Sequence, residues 1–245
     1  MSTFVAALRS IAAYVAVSLY VLIVGGPFVL VAIAIGNPTI LYRVGDLGVR
    51  LGLFLSGIRF TVDGDEHVQH HRAAVYAVNH ASNVEPPILF TALRSIHPGL
   101  RILYKAELRK LPVLARAWDL AGFVPLERGN PEQSLPAIDG AATALREGAS
   151  FLIFPEGTRS RTGALLPFKK GGFIMALKAE APIVPVAVSG TRNALRKGSF
   201  IIRPVHVRVQ FSPPVETAGV SQDQRDLLIA EVRGRIERML DTAPH

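Results

Sequence analysis

A histidine and a glutamate, His80 and Glu85, follow the apolar run Ala74–Val78 and stand five residues apart. On one continuous helix the two side chains would point about 140° apart, but across a junction from a strand to a helix they can face each other. Pro86 and Pro87 place a helix start here, because prolines are tolerated in the first turn and break a helix further in. A carboxylate bonded to one imidazole nitrogen fixes the tautomer and raises the basicity of the other. The pair predicts a general base that takes a proton from an alcohol; a structural histidine beside a helix-start carboxylate is the alternative.

A second polar segment, rich in glycine, hydroxyl groups and arginine, follows the apolar run Phe151–Phe154. Arginine offers a fork of donors to phosphate oxygens, and nearby backbone N–H groups can add to it. We expect Glu156, Gly157, Thr158 and Arg159 to contact a phosphorylated substrate. For Glu156, a role that only holds the turn is equally open. A solvated charged turn is the alternative for the whole segment.

Two further basic residues stand at the ends of apolar runs. Lys105 follows Leu100–Tyr104, and Arg128 follows Phe123–Leu126. Ligands of α/β sheets usually bind where polar groups gather at the carboxyl ends of the strands. We therefore expect Lys105 and Arg128 to lie near the same ligand-binding site as Arg159.

These segments together resemble the glycerolipid acyltransferase family, with four motifs in family order from about Ile58 to Val215. The first motif is His, four residues, then Asp, and Glu85 stands here in the place of Asp. The third motif, Phe-Pro-Glu-Gly-Thr-Arg-Ser, matches Phe154 to Ser160 without a change. The second motif is a Lys-x-Glu-Leu segment with a later Pro, Gly and Arg, and it matches Lys105, Glu107, Leu108, Pro112, Gly122 and Arg128. The fourth motif is a proline-flanked apolar strand, and it matches Ala181 to Val186.

The resemblance implies direct acyl transfer without a cofactor, with His80 as the base and the second and third motifs as the glycerol phosphate site. The implied donor is acyl-CoA or acyl carrier protein, the acceptor is lysophosphatidic acid, and the product is phosphatidic acid. Glycerol 3-phosphate or another lysolipid is the alternative acceptor. Glu85 is longer than the family's Asp by about 1.5 Å, one bond length. We expect a shifted helix start or rotamer to absorb this difference and the pair to be active.

From Ile11 to Tyr42 the chain carries no charged residue. Ile11 to Ile35 alone reaches about 37 Å as a helix, enough for a bilayer core of about 30 Å. Gly25-Gly26-Pro27 predicts a kink or break, because proline lacks the N–H donor and clashes with the preceding turn. One kinked span and two short helices dipping into one leaflet are both open. We expect a retained anchor at the cytoplasmic face of the inner membrane rather than a cleaved signal peptide, since the run is long.

Pro38 to Ser56 predicts a helix of another kind. Arg43, Asp46 and Arg50 form one polar stripe, and apolar residues fill most of the remaining positions. A helix that packs into a core and a helix that lies in a membrane interface fit this pattern equally well.

From Ile58 onward, apolar runs of strand length alternate with helical segments, which predicts an α/β fold with a mixed, mostly parallel sheet flanked by helices. We assign membrane-associated helices to residues 1–57 and the catalytic domain to residues 58–245. One helix is expected from the cap Asn130 to about Glu147, and a capping box of Ser221 with Gln224 opens a last helix. The predicted strands are Ile58–Val62, Ala74–Val78, Leu100–Tyr104, Phe123–Leu126, Phe151–Phe154, Ile183–Val188 and Val205–Phe211.

Composition narrows the classes of function. The chain has no cysteine, which excludes disulfides, thiolate metal sites and a cysteine nucleophile. A covalent serine mechanism often uses a Gly-x-Ser-x-Gly elbow, and the sequence has none. His67, His70 and His71 could join His80 as metal ligands, but they lack an obvious carboxylate partner, so we expect no metal.

The formal net charge of +8 suits anionic partners such as lipid headgroups and phosphorylated substrates. A membrane-bound module that binds lipid or nucleic acid without catalysis is the rival interpretation. It does not explain the His80–Glu85 junction together with Arg159. We therefore expect membrane lipids, the acceptor and the acyl donor as partners, and no nucleic acid.

Overall fold

The computed structural model describes residues 3–110, 112–127 and 131–242. This described part of the chain contains one sheet of seven strands. Each strand agrees with its predicted run to within one residue at either end. The strands are β1 Arg59–Asp63, β2 Val75–Val78, β3 Leu100–Lys105, β4 Val124–Leu126, β5 Ser150–Ile153, β6 Ile183–Ser189 and β7 His206–Phe211.

The order of strands across the sheet is β1-β7-β6-β2-β5-β3-β4. Five neighbouring strands, from β6 to β4, are parallel to one another. β7 is antiparallel to β6, and β1 is parallel to β7. The predicted mixed, mostly parallel sheet is confirmed. Because the five strands run the same way, the residues that follow β2, β3 and β5 meet at one edge of the sheet.

Helices cover both faces of this sheet. Along β2, Tyr76 and Val78 lie in one core with Leu53 and Ile88, whereas Val75 and its neighbours on that side lie in a second core. Burial on both faces explains why the central strands β2, β5 and β6 are continuously apolar instead of alternating. The helices are α1 Thr3–Tyr20, α2 Gly26–Ile35, α3 Pro38–Ser56, α4 Glu85–Ala92, α5 Pro112–Leu120, α6 Pro131–Arg146, α7 Gly171–Ala179, α8 Thr191–Ala194 and α9 Arg225–Asp241, with 3₁₀ turns at Asp65–His67, Arg94–Ile96, Ala106–Lys110 and Gln222–Gln224.

The two predicted helix starts have different outcomes. The cap Asn130 lies outside the described residues, and α6 ends at Arg146, one residue before the expected end. The capping box of Ser221 with Gln224 is present. It opens a 3₁₀ turn that leads into α9 at Arg225, because the tighter turn satisfies the first N–H groups before the α-helix begins.

Most of the charge-free run lies in one continuous helix, Thr3–Ile35, of 33 residues. A π-helical turn, Val21–Gly25, joins α1 to α2 directly before Pro27. Proline lacks an N–H donor and its ring is bulky, and the wider π turn accommodates both without ending the helix. The interruption predicted there is therefore a π turn and not a break. By length and composition this helix could cross a membrane.

α3 runs back along this helix, so that the two form an antiparallel pair. The Tyr20 hydroxyl donates to the carbonyl of Val44 at 2.7 Å, and Arg9 Nε donates to the carbonyl of Leu55 at 2.8 Å. Gly48 permits the close approach, because a Cβ there would lie 2.6 Å from the Tyr20 ring. The chain therefore returns, at the end of α3, to the end of the pair from which it started.

The helix pair is also fixed to the sheet domain. Leu53 of α3 is buried in the core with α4, and the Tyr42 hydroxyl donates to the carbonyl of Leu100. On α1, Ser10 Oγ accepts a hydrogen bond from Ile202 N at 2.8 Å. One side of α3 thus packs into the core, as one of its two interpretations requires.

The outer surface of the helix pair is apolar. Its exposed large side chains are Phe4, Val5, Leu8, Ile11, Tyr14, Val15, Leu19, Val21, Leu22, Ile23, Phe28, Leu30, Val31, Ile35, Leu47 and Phe54. An exposed apolar surface of this extent is typical of a membrane or partner interface. We call it the apolar face.

If the apolar face meets lipid, Leu22→Asp should weaken sedimentation with vesicles of anionic phospholipid. Leu22 is 71% exposed on this face, and an aspartate in the membrane core costs about 2.5–3.5 kcal/mol. At partial depth we expect the partition coefficient to fall about tenfold. Leu227→Asp is the matched control, because Leu227 is 73% exposed on α9, across the sheet from α3. Equal binding by the two variants would contradict this assignment.

Candidate active site

His80 and Glu85 meet at the carboxyl end of β2. His80 Nδ1 lies 2.7 Å from Glu85 Oε2, and Glu85, the first residue of α4, is fully buried. The His80 side chain keeps 16% of its surface exposed, and its ring packs against Phe154 with centroids 4.3 Å apart. Because the carboxylate occupies Nδ1, Nε2 is the nitrogen left to exchange a proton with a substrate. The junction brings the two residues face to face, as the sequence predicts.

The backbone that follows His80 closes around the carboxylate of Glu85. The N–H of Ala81 lies 3.0 Å from both carboxylate oxygens, and the N–H of Ser82 lies 3.0 Å from Oε1. These bonds fix the carboxylate beside His80, so that Oε2 holds the proton of the ring on Nδ1.

Glu156 ties the end of β5 to the end of β2. Its Oε1 accepts from His80 N at 2.6 Å and its Oε2 accepts from Leu166 N at 2.9 Å, and the side chain is buried. Burial raises the pKa of Glu156. In addition, Ser160 N donates to the carbonyl of His80 at 2.7 Å. Of the two roles open to Glu156, these bonds favour the one that holds the turn and, through it, His80.

The rest of this turn presents donors at its surface. Gly157 has φ +68°, and a Cβ there would lie 2.8 Å from Lys169 Cε, so the turn requires glycine. Thr158 is exposed and Arg159 is half-buried. Lys197 Nζ donates to the carbonyl of Arg159 at 2.8 Å and lies 3.3 Å from Thr158 Oγ1. The turn and Lys197 therefore bring a hydroxyl group and an ammonium group close together.

Lys105 ends β3, two strands from β2. Its ammonium lies 2.8 Å from Glu107, and both side chains are about half-exposed. A surface pair of this kind is weak, so Lys105 can exchange the carboxylate for another anion. Arg128, which is predicted to act with it, lies outside the described residues.

An apolar cavity of about 900 Å³ lies between the helix pair and the helices α4 and α5. Val84 and Pro87, on either side of the catalytic candidate Glu85 in sequence, contribute to its wall. The sequence gives no sign of this cavity, because its wall combines the N-terminal helices, read as a separate anchor, with residues of the sheet domain. The cavity could hold an apolar chain close to His80 and Glu85.

Four histidines, His67, His70, His71 and His80, are candidate metal ligands in the sequence. Among the residues that the structure describes, no group of three or more histidine, aspartate or glutamate side chains is arranged to hold a metal ion. His67, His70 and His71 lie before β2, and His80 bonds to Glu85.

Comparison with known proteins settles the family. The acyltransferase family model matches residues 59–189, more than half of the chain and the stretch that holds His80, Glu85, Lys105 and Arg159. The chain belongs to the acyltransferase family. The resemblance seen in the four motifs is thus confirmed.

Several relatives of this acyltransferase are named 1-acyl-sn-glycerol-3-phosphate acyltransferases. A 1-acyl-sn-glycerol-3-phosphate acyltransferase of Limnanthes douglasii is 36% identical over 194 residues, which are 77% of this chain and 67% of the relative. One from Borreliella burgdorferi is 29% identical over 79% of this chain and 76% of its own. The crystal structure of the 1-acyl-sn-glycerophosphate (LPA) acyltransferase from Thermotoga maritima matches with a TM-score of 0.82 at 25% identity, over 98% of this chain and 97% of that one.

The structure adds a residue that the sequence did not single out. Lys197 reaches the Thr158–Arg159 turn from a loop 38 residues further along the chain. It lies beyond the stretch matched by the family model. Because Lys197 is far from the turn in sequence, only the fold reveals the contact.

Glu156→Gln should destabilise the protein and slow turnover. The substitution turns one acceptor oxygen into an amide donor that faces a backbone N–H, and an unsatisfied buried group costs about 1–3 kcal/mol. Thermal unfolding in detergent and initial rates measure the two effects. Glu147→Gln is the control, because Glu147 is exposed just after α6. If both variants unfold at the same temperature, Glu156 does not hold the turn.

Proposed function

We propose that this acyltransferase moves a fatty acyl group from a thioester donor to the free sn-2 hydroxyl of 1-acyl-glycerol-3-phosphate and so makes phosphatidic acid. The observation that carries the proposal is the 2.7 Å contact of His80 with the buried Glu85, at the same sheet edge as the Arg159 turn. The names of the relatives from Limnanthes douglasii and Borreliella burgdorferi support this acceptor.

The reaction proceeds by direct attack, without a cofactor and without an acyl-enzyme. His80 Nε2 accepts the proton of the acceptor hydroxyl while Nδ1–H stays bonded to Glu85. The hydroxyl oxygen bonds to the thioester carbonyl carbon, the C–S bond breaks, and the leaving thiolate takes the proton from the imidazolium. Glu85 stabilises that imidazolium, because an adjacent opposite charge favours the charged ring.

The acceptor phosphate is bound by cations at the same sheet edge. Arg159 offers a bidentate fork, Lys105 adds a second charge, and Arg128 is assigned the same role by the family motif. The Thr158 hydroxyl, which is exposed, orients the phosphate. Binding the phosphate at a fixed distance from His80 converts a bimolecular attack into an oriented one.

The apolar cavity is suited to an acyl chain. Its volume of about 900 Å³ is within the range of pockets that enclose extended small molecules. Since its wall includes Val84 and Pro87, a chain bound there would have its reacting end near Glu85 and His80. Burial of the chain also excludes water, which would otherwise compete as the attacking nucleophile.

The apolar face brings the site to lipid. Acceptor and product both reside in membranes, whereas acyl-CoA and acyl carrier protein are soluble and anionic, which favours the cytoplasmic face of the inner membrane. On α3, Arg50 and Asp46 form an ion pair at 2.8 Å, and charges are costly in the bilayer core. The antiparallel pair therefore lies along one leaflet in this proposal instead of crossing both.

Two alternative functions differ from this proposal in what they require of the structure. Glycerol 3-phosphate is water-soluble and would not need the apolar face to reach the site, whereas a lysolipid would. A non-catalytic lipid-binding module would not need an imidazole on a buried carboxylate. A matrix of acceptors and thioester donors, with release of free thiol as the readout, separates all three. Thiol release that depends on lysophosphatidic acid supports the proposal.

His80→Ala should abolish turnover while the fold and acceptor affinity persist. General base catalysis typically contributes 10²–10⁴-fold, and His80 lies at the rim of the site with 16% of its side chain exposed, so truncation there leaves the buried core intact. The assay is thiol release with lysophosphatidic acid, and the control is His71→Ala at an exposed histidine. If His80→Ala keeps more than about a tenth of the kcat of wild type, His80 is not the base.

Arg159→Ala should raise KM for lysophosphatidic acid more than it lowers kcat. Loss of a charge-assisted hydrogen bond costs about 1.5–3 kcal/mol, or roughly 10- to 150-fold in kcat/KM. Arg159→Lys should recover only part, because lysine lacks the fork. Arg208→Ala, at a half-buried arginine of β7, is the control. A loss of the same factor on uncharged monoacylglycerol would rule out the phosphate role.

A further inference from the structure

A threonine outside every motif contacts the catalytic carboxylate. Thr191 Oγ1 donates to Glu85 Oε1 at 2.6 Å, across 106 residues of sequence, and both side chains are buried. Thr191 is the first residue of α8, directly after β6. The family model ends before it, at residue 189.

The hydroxyl completes the set of donors around Glu85. Oε1 accepts from the N–H groups of Ala81 and Ser82 and from Thr191, while Oε2 accepts from Ala81 N and faces His80 Nδ1. A carboxylate has about four lone-pair sites. Apart from His80, Thr191 is the side chain that bonds this carboxylate within the described part of the protein.

The fold holds Thr191 at this place from two sides. Asn79, next to the catalytic histidine, accepts from Val188 N at 2.7 Å and donates to the Val188 carbonyl at 3.0 Å, so β6 cannot slide along β2. Gly190 has φ +88°, and a Cβ there would lie 2.6 Å from the carbonyl oxygen of His206. The turn into α8 is therefore tightly determined, and the hydroxyl is delivered to Glu85 with little freedom.

We propose that Thr191 is a positioning residue for acyl transfer, which fixes the rotamer of Glu85 so that Oε2 stays on His80 Nδ1. This inference rests on the proposed function. A glutamate has one more rotatable bond than the aspartate of the family motif, and that freedom would let its carboxylate leave the imidazole. By holding Oε1 on the side away from His80, the hydroxyl removes this freedom.

The test is Thr191→Val, which keeps shape and removes the hydroxyl. With purified full-length protein, lysophosphatidic acid and the acyl thioester that the wild type uses, we expect kcat to fall about 10- to 100-fold. KM for the acceptor should stay within about twofold. Thr191→Ser keeps the hydroxyl and should retain kcat within about threefold of wild type.

A matched control separates positioning from simple loss of packing. Thr217 is also buried, and its hydroxyl donates to the carbonyl of Ala181 at 2.9 Å, away from the site. Thr217→Val should leave kcat unchanged. If Thr191→Val keeps kcat within twofold while folded, or if Thr191→Ser is as slow as Thr191→Val, the proposal is overturned.

A double-mutant cycle distinguishes an effect of Thr191 that passes through Glu85 from a general structural effect. If Thr191 acts through the carboxylate, adding Thr191→Val to Glu85→Gln should lower the residual kcat by less than about threefold. The full single-mutant loss in that background would instead show a structural role and overturn the proposal. If Glu85→Gln itself keeps wild-type turnover, the proposed function of the dyad fails, and this outcome is distinct from a failure of Thr191 alone.

Discussion

Burying an ionised carboxylate is costly unless several donors surround it, and Glu85 is a carboxylate without exposed surface. The N–H groups of Ala81 and Ser82, the Thr191 hydroxyl and the imidazole of His80 come from the loop after β2 and from the start of α8. None of these donors is in place unless β2, β6 and α4 are correctly packed. Formation of the site and formation of this part of the sheet are therefore one event.

The histidine itself is held by its backbone as well as by its ring. Glu156 accepts from its N–H and Ser160 donates to its carbonyl. The turn that carries the phosphate-binding candidate Arg159 is thus the same turn that fixes His80. A change in this turn would alter the proposed base and the proposed phosphate site together, which makes separate adjustment of the two difficult.

The sequence predicts the parts of this protein that are local. The central strands β2, β5 and β6 are largely runs of apolar residues that lead into polar turns, and His80, Glu85 and Arg159 lie in contiguous motifs. The contacts of Thr191 and Lys197 are invisible at this level, since each joins segments far apart in the chain and each side chain looks ordinary in its own neighbourhood. The cavity was missed for a related reason. Hydropathy marks the N-terminal helix as apolar all round, but it does not say that α3 would fold it back against the sheet domain.

The position of β1 has a consequence for how the chain is made. β1 follows directly after the helix pair, yet its described sheet partner is β7, near the other end of the sequence. The Ser10 hydroxyl likewise accepts a hydrogen bond from the backbone of Ile202, 192 residues further along the chain. During synthesis the N-terminal helix leaves the ribosome long before either partner does, so β1 has no sheet partner for most of that time. If the apolar face meets lipid, as proposed, the nascent chain is tethered at one end while it waits for that partner. The synthesis of β7 supplies the partner of β1 and completes the sheet.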